Sequence, residues 1–239
     1  MPARFVAVVL LALAGCLPAA LAAAPFEDTM AQRTLACTVC HGAQGRAGPD
    51  GYYPRIAGKP AGYLYNQLLN FRDGRRHYAA MQRLLDPLSE PYLLEIARHF
   101  SGLELLYAAP PVPQASAEVL ERGRQLALHG EPAAKLPACV GCHGAGLTGV
   151  LPNTPGLLGL PRDYINAQLG AWRTGERRAH APDCMAQVAR TLTPEDLNAV
   201  SSWLASQPLP AQPRAIDRLP EPTPLACGSA ALPAGRQQP

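Results

Sequence analysis

Cys37-Thr38-Val39-Cys40-His41 and Cys139-Val140-Gly141-Cys142-His143 are two copies of one chemical device, Cys-x-x-Cys-His. The paired thiols are spaced to bond the vinyl groups of a haem, and the histidine that follows can reach the iron from one face. Each motif therefore predicts a covalently attached haem c. Cys37, Cys40 and His41 would hold one; Cys139, Cys142 and His143 would hold the other. A redox dithiol would need a βαβ setting, and nothing in the chain resembles one. A zinc site would have to unite both cysteine pairs and would leave a histidine idle after each.

The ligand on the opposite face of each iron decides between electron transfer and chemistry on a bound molecule. A methionine fills the iron and raises its reduction potential, whereas an open position admits peroxide or oxygen. Met81 stands seven residues before Leu88, and Met185 stands seven residues before Leu192. A thioether is a soft donor suited to this place, so the predicted metal ligands are His41 and Met81 on one iron, His143 and Met185 on the other. His77 and His180 also occupy similar places and are the competing ligands; bis-histidine ligation would lower the potential. Flanked by Arg and Ala, they read as solvated loop residues. His99 and His129 read as structural. A ligating histidine donates its other ring proton to a fixed acceptor, and the carbonyls of Pro54 and Pro155 lie at the right remove. Arg72, Arg75, Arg173 and Arg177 are either partners for haem propionates or solvated helix ends. No residue set for bond-breaking catalysis stands out.

These residues sit inside a longer internal repeat. Pro54-Arg55-Ile56-Ala57-Gly58 corresponds to Pro155-Gly156-Leu157-Leu158-Gly159, Tyr63 to Tyr164, Gln67 to Gln168, Phe71 to Trp172, Arg72 to Arg173 and Gly74 to Gly175, all at one constant offset. Leu88-Ser89 corresponds to Leu192-Thr193 after a small insertion. The helices that must position the ligands follow from apolar spacing. Leu64, Leu68 and Phe71 predict a helix over Ala61 to Arg72, ended by Gly74. Leu93, Ile96 and Phe100 predict another after Ser89. In the second copy Ser116 precedes a helix carrying Val119, Leu120 and Leu126, and Ile165, Leu169 and Trp172 form a stripe that stops at Gly175. Thr193-Pro194-Glu195-Asp196 is a helix start with cap, first-turn proline and acidic residues at the positive dipole end. No segment alternates as a strand does, so the class is all-α.

The predicted organisation is a signal peptide over 1–24, a first domain over 25–103, a proline-rich linker over 104–115, a second domain over 116–207 and an irregular Pro/Ala-rich tail over 208–239. Units of this size have thin apolar cores, which a buried haem would thicken. Arg4, the apolar run Phe5 to Leu13 and the small residues at Ala20 to Ala24 predict export. Leu13-Ala14-Gly15-Cys16 also matches a bacterial lipoprotein signal, but the apolar run continues past Cys16 and favours cleavage near Ala22 to Ala24. The formal net charge is +3, too slight to suggest a nucleic-acid partner.

Together the motifs resemble the cytochrome c4 family, over about Asp28 to Gln207. The resemblance implies two tandem class I cytochrome c domains related by pseudo-twofold symmetry, each wrapped around one covalent haem. It implies an electron-transfer protein of the bacterial periplasm, working between respiratory-chain donors, such as a quinol-oxidising complex, and a terminal oxidase or other acceptor. Peripheral association with a membrane is compatible with that role. The alternatives are the cytochrome subunit of a periplasmic dehydrogenase, which the tail could help dock, and a dihaem peroxidase, against which both methionines argue. Cys184 and Cys227 depart from the family pattern. With four cysteines on haem and Cys16 in the signal, they are left as a pair in an oxidising compartment. A disulfide, two free thiols and Cys184 as an unusual ligand are the open readings.

Overall fold

A computed structural model describes residues 27–48 and 50–233. The predicted signal segment over 1–24, its Cys16 and the final residues 234–239 lie outside the described residues. Ten α-helices are described. In the first half they are α1 Met30–Arg33, α2 Leu35–His41, α3 Ala61–Arg72, α4 Ala79–Leu85 and α5 Glu90–Gly102; in the second they are α6 Ala117–His129, α7 Val140–His143, α8 Arg162–Thr174, α9 Cys184–Thr191 and α10 Pro194–Ser206. The extended structure comprises β1 Gly149–Val150 and β2 Thr154–Pro155, antiparallel with Gly149 opposite Pro155. No helix among the described residues is long and apolar enough to cross a membrane.

Helix starts follow the local chemistry. Ser116 accepts from the Val119 amide at the head of α6, Asp183 accepts from the Ala186 amide at the head of α9, and Thr193 accepts from the Asp196 amide at the head of α10. Each satisfies an amide that has no partner within the helix. Ser89 stands before α5 as predicted, but its side chain makes no capping bond; Pro91 in the first turn supplies the start instead. Both haem motifs end in the same way. Gly42 (φ +73°) and Gly144 (φ +80°) stop the helix directly after His41 and His143. A Cβ on Gly42 would sit 2.2 Å from the Ala47 carbonyl oxygen, so a side chain there would push the loop off the histidine.

Two apolar clusters form, one per half. Leu64, Leu69, Leu93, Ile96 and Phe100 anchor the first, where α3 packs on α5. Leu126, Ile165, Leu169, Val200 and Leu204 anchor the second, where α10 lies against α6 and α8. The chain between the halves is extended, as its prolines predict, and it is held. The buried Arg55 donates to the carbonyls of Ala57 (3.1 Å), Leu105 (2.5 Å) and Leu106 (3.1 Å), and its guanidinium lies 3.8 Å from the centre of the Tyr107 ring. The tail from Pro208 is irregular, as predicted, yet far from loose: Ile216 joins a parallel bridge with Val150, and Cys227 is disulfide-bonded to Cys184 with the Cα atoms 5.0 Å apart.

Candidate haem centres

His41 and His143 are set by the same local bond. The Nδ1 of His41 lies 2.9 Å from the Pro54 carbonyl oxygen, and that of His143 lies 2.7 Å from the Pro155 carbonyl oxygen. A carbonyl can only accept, so each Nδ1 carries the proton and each Nε2 presents a lone pair. Burial pushes both imidazoles below the ordinary histidine pKa, against the pull of these bonds, which keeps them neutral as an iron ligand requires. Burial likewise pushes the Cys139 thiol up to about 11 and raises Cys37 and Cys142. Unmodified, these are poor nucleophiles, unlike the activated thiols of a redox dithiol. Among the described residues no cluster of three or more His, Cys, Asp or Glu side chains offers a metal cage, so the two cysteine pairs do not unite as a zinc site would need.

Each half brings its motif cysteine and its methionine to one cluster. Cys37 and Met81 both pack on the first core, and Cys139 and Met185 both pack on the second. In the second half a cavity of about 750 Å³ opens beside this cluster, with Cys142, His143, Met185, Val188, Leu157 and Trp172 in its wall. That volume falls within the usual range of roughly 300–1,000 Å³ for cofactor sites. Trp172 Nε1 is buried there without a hydrogen-bond partner, an idle donor that a propionate oxygen would satisfy. Apolar walls, a neutral histidine, a thioether, motif cysteines and an unused donor fit a haem. His77 is exposed and its amide donates to the Glu176 carbonyl (3.1 Å), while His180 does not line the cavity. His99 packs edge-on against Phe100, and His129 is exposed in the last turn of α6.

The arginines divide differently from expectation. Arg72 pairs with Asp73 and Glu90, Arg75 pairs with Asp73 and Asn70, and Arg173 donates to the Leu192 carbonyl. Local carboxylates and carbonyls have claimed these three, and Arg177 alone of the four lines the second cavity. It is 4% exposed, lies 3.7 Å over the Trp172 ring and donates to Gln168 (2.8 Å) and, in the other half, to Gln67 (3.0 Å). Lys59, also from the first half, reaches the same cavity. Burial pushes Lys59 below the ordinary lysine pKa and the Arg55 and Arg177 charges push it further, with Tyr63 opposing. Neither Lys59 nor Arg177 is in an ion pair with a described carboxylate. Sequence reasoning missed Lys59. Its signal was the mismatch with Leu160, which follows the corresponding glycine in the second copy. It also missed a tyrosine group beside the first histidine: the Tyr53 ring is edge-on to His41 at 6.1 Å, and the Tyr53 and Tyr78 hydroxyls are 3.2 Å apart.

Two helical halves, each with a Cys-x-x-Cys-His motif beside a methionine, define a dihaem c-type cytochrome. Residues 120–208 match the family model for cytochrome c. The chain is 40% identical over 192 residues to the thiosulfate dehydrogenase electron acceptor of Thiomonas intermedia, covering 80% of this chain and 85% of that one. Reduced recombinant cytochrome c4 from Pseudomonas stutzeri superposes with a TM-score of 0.62 at 30% identity, over 74% of this chain and 96% of that one. The thiosulfate dehydrogenase TsdBA from Marichromatium purpuratum superposes with a TM-score of 0.64 at 32% identity, over 72% of this chain; the match spans 36% of that longer chain. The chain belongs to the cytochrome c4 family. It carries covalently bound haem c and is an electron-transfer protein rather than an enzyme.

Proposed function

We propose that this cytochrome accepts electrons in the periplasm from a dehydrogenase that oxidises an inorganic sulfur compound, thiosulfate being the first to test, and passes them to a terminal oxidase or another acceptor. The observation that carries this reading is the 40% identity, over most of both chains, to a protein named as the electron acceptor of thiosulfate dehydrogenase. The exported location rests on the apolar start of the chain and on the need to attach haem outside the cytoplasm. The domain limits are those drawn above, 25–103 and 116–207.

Cys37 and Cys40 would anchor the first haem, with His41 and Met81 on its iron; Cys139 and Cys142 would anchor the second, with His143 and Met185. When bound, each haem stores and releases one electron at its iron. The protein's part is to change as little as possible while that happens. The Pro54 and Pro155 carbonyls fix the imidazole planes, and the Met81 and Met185 thioethers would fill the irons' remaining positions and keep outside ligands off. Apolar walls would keep water from the irons, and the Arg177 guanidinium would set positive charge on the second cavity, favouring the reduced state.

Two measurements test this. A purified holoprotein should show the near-infrared sulfur-to-iron band from both irons and bind no carbon monoxide when reduced. Mixed with a thiosulfate dehydrogenase, its haems should become reduced only when thiosulfate is supplied. Reduction at the same rate without substrate, or none with it, would remove the dehydrogenase from the reading and leave a carrier between respiratory complexes.

A further inference from the structure

The tail takes a defined course around the second cavity. Ile216 enters it by exchanging backbone hydrogen bonds beside the motif: the Leu151 amide donates to the Ile216 carbonyl (2.8 Å), and the Ile216 amide donates to the Gly149 carbonyl (3.0 Å). The Ile216 side chain lies against Gly144, where an added Cβ would come within 3.3 Å of its Cδ1. Asp217 to Thr223 then form part of the cavity wall. Pro224 sits over Gly141, inside the second haem motif, at 3.6 Å from where a Cβ would stand. Cys227 is tied to Cys184, the residue before Met185. Beyond it the Gly228 amide donates to the Pro182 carbonyl (2.8 Å), Asn153 donates to Ser229 (3.0 Å), and the Ala230 amide donates to Asn66 of the first half (2.7 Å). The segment thus runs from the histidine side of the second site to its methionine side and ends on the other half of the molecule.

Among the described residues the first motif has no such neighbour at the matching place. Val39, which corresponds to Gly141 within the motif, is 84% exposed, and Leu35 one turn earlier is 55% exposed. The sequence explains both ends of the contrast. Gly141 leaves room for Pro224, while Pro220, Pro222 and Pro224 stiffen the crossing segment. The disulfide then closes a loop of chain that would otherwise be entropically free to lift.

We propose that residues 216–230 are a fixed cover over the edge of the second haem, so that exchange of electrons with outside redox molecules passes through the first haem, beside Leu35 and Val39. Electrons reach the second haem through the first. This rests on His143 and Met185 being the second pair of ligands. The covering chain adds a layer of protein to any path from outside, and electron tunnelling falls off steeply with each such layer. Pinning the cover by a covalent bond keeps it in place during encounters with partners.

The test uses the full-length holoprotein and hexacyanoferrate(III), which takes a single electron from each reduced iron and becomes hexacyanoferrate(II). At about 0.1 M salt a surface charge acts over roughly 10 Å, so one carboxylate reports on one edge. Val39→Glu should slow the reaction roughly fivefold, and Thr223→Glu, on the cover, should change it by less than about twofold. Equal slowing by both, or slowing by Thr223→Glu alone, would overturn the proposal. A second measurement reads the cover directly. In a chain ending at Arg214, hydrogen exchange of the amides in Cys139–Gly144 should rise about tenfold while those in Cys37–Gly42 hold steady. If that shortened chain does not retain both haems, Cys184→Ser with Cys227→Ser, which leaves the segment in place but unlinked, serves for the same comparison. Unchanged exchange at Cys139–Gly144 would refute the cover. Failure of the ligand assignment is separate: it would appear in the unsubstituted protein as a missing sulfur-to-iron band.

Discussion

Arg76 and Arg177 each donate to the other half's glutamine. Arg76 reaches Gln168 at 2.6 Å, and Arg177 reaches Gln67 at 3.0 Å. The exchange is reciprocal in further detail. Each arginine also binds its own half's glutamine, Arg76 to Gln67 (2.9 Å) and Arg177 to Gln168 (2.8 Å). Each lies over an aromatic ring at matching places, Phe71 and Trp172. Their backbones form an antiparallel bridge. The internal repeat of the sequence thus becomes a twofold-like joint in which two residues of one half read two of the other.

Replacing Arg177 by Met should loosen this joint. The residue is buried, and its loss removes one of the two charged donors from each glutamine oxygen, leaving Arg76 on both, which costs about 2 kcal/mol. Arg177→Lys should recover little, because an ammonium cannot span both glutamines and stack on Trp172. Denaturant unfolding of the two variants checks this; equal stability of Arg177→Lys and the unsubstituted protein would contradict it.

Lys59 should tune the second haem from across the joint. It reaches the second cavity from the first half and forms no ion pair with a described carboxylate. Below the pH at which Lys59 loses its proton, Lys59→Gln should lower the second potential by some tens of millivolts, about 59 mV corresponding to a tenfold shift in the one-electron equilibrium. The first potential should move less. Redox titration resolves the two, and a larger shift at the first haem would place Lys59 with the wrong iron.

The methionines should separate cleanly. Met81→Ala and Met185→Ala should each abolish the sulfur-to-iron band of one iron and let carbon monoxide bind that iron when reduced. Met185→His should instead keep the iron closed and lower its potential. Retention of the full band in either alanine variant would disqualify that methionine as a ligand.

Gly123 holds α6 against α10. An added Cβ would stand 2.1 Å from the Ala199 carbonyl oxygen and 2.8 Å from the Trp203 Cβ. Backbone cannot yield as a flexible side chain does. Gly123→Val should therefore cost about 3 kcal/mol, seen as a lower denaturation midpoint. A stability change near zero would mean that the helix pair can separate freely.

Asp73 supplies a pH dependence. Burial works to raise its pKa, but hydrogen bonds from Arg72 (2.9 Å) and Arg75 (2.7 Å) outweigh it and hold the carboxyl below its ordinary 3.8. The folded state therefore binds this proton less readily than the unfolded state. Its contribution is complete above the unfolded value and is lost as the pH falls through the folded one. Asp73→Asn should destabilise the protein at neutral pH, with the difference fading in acid below 3.8. A difference that grows in acid would reverse the assignment.

Much of this was legible from local pattern. The motifs, the helix over Ala61–Arg72, the Thr193 cap and the two histidine-to-proline bonds depend on residues close in sequence, where spacing carries geometry. The all-α class held apart from two strands of two residues each, too short to alternate visibly. What the sequence hid was long-range. The sign and spacing of Arg72, Arg75 and Arg173 suited a propionate equally well, and the carboxylates and carbonyls that claim them became visible once the helices were packed. The tail showed no periodicity because its order comes from a disulfide and a few backbone bonds, with no apolar face of its own. Lys59 lay hidden because its role belongs to the opposite half of the molecule.

Arg55 bears on timing. By gripping two successive linker carbonyls and stacking on Tyr107, it removes the swivel that a proline-rich connector between two domains would otherwise provide. The separation of the two redox centres is then a constant of the molecule. Internal transfer should be single-exponential and nearly independent of solvent viscosity, because no domain reorientation has to precede the hop.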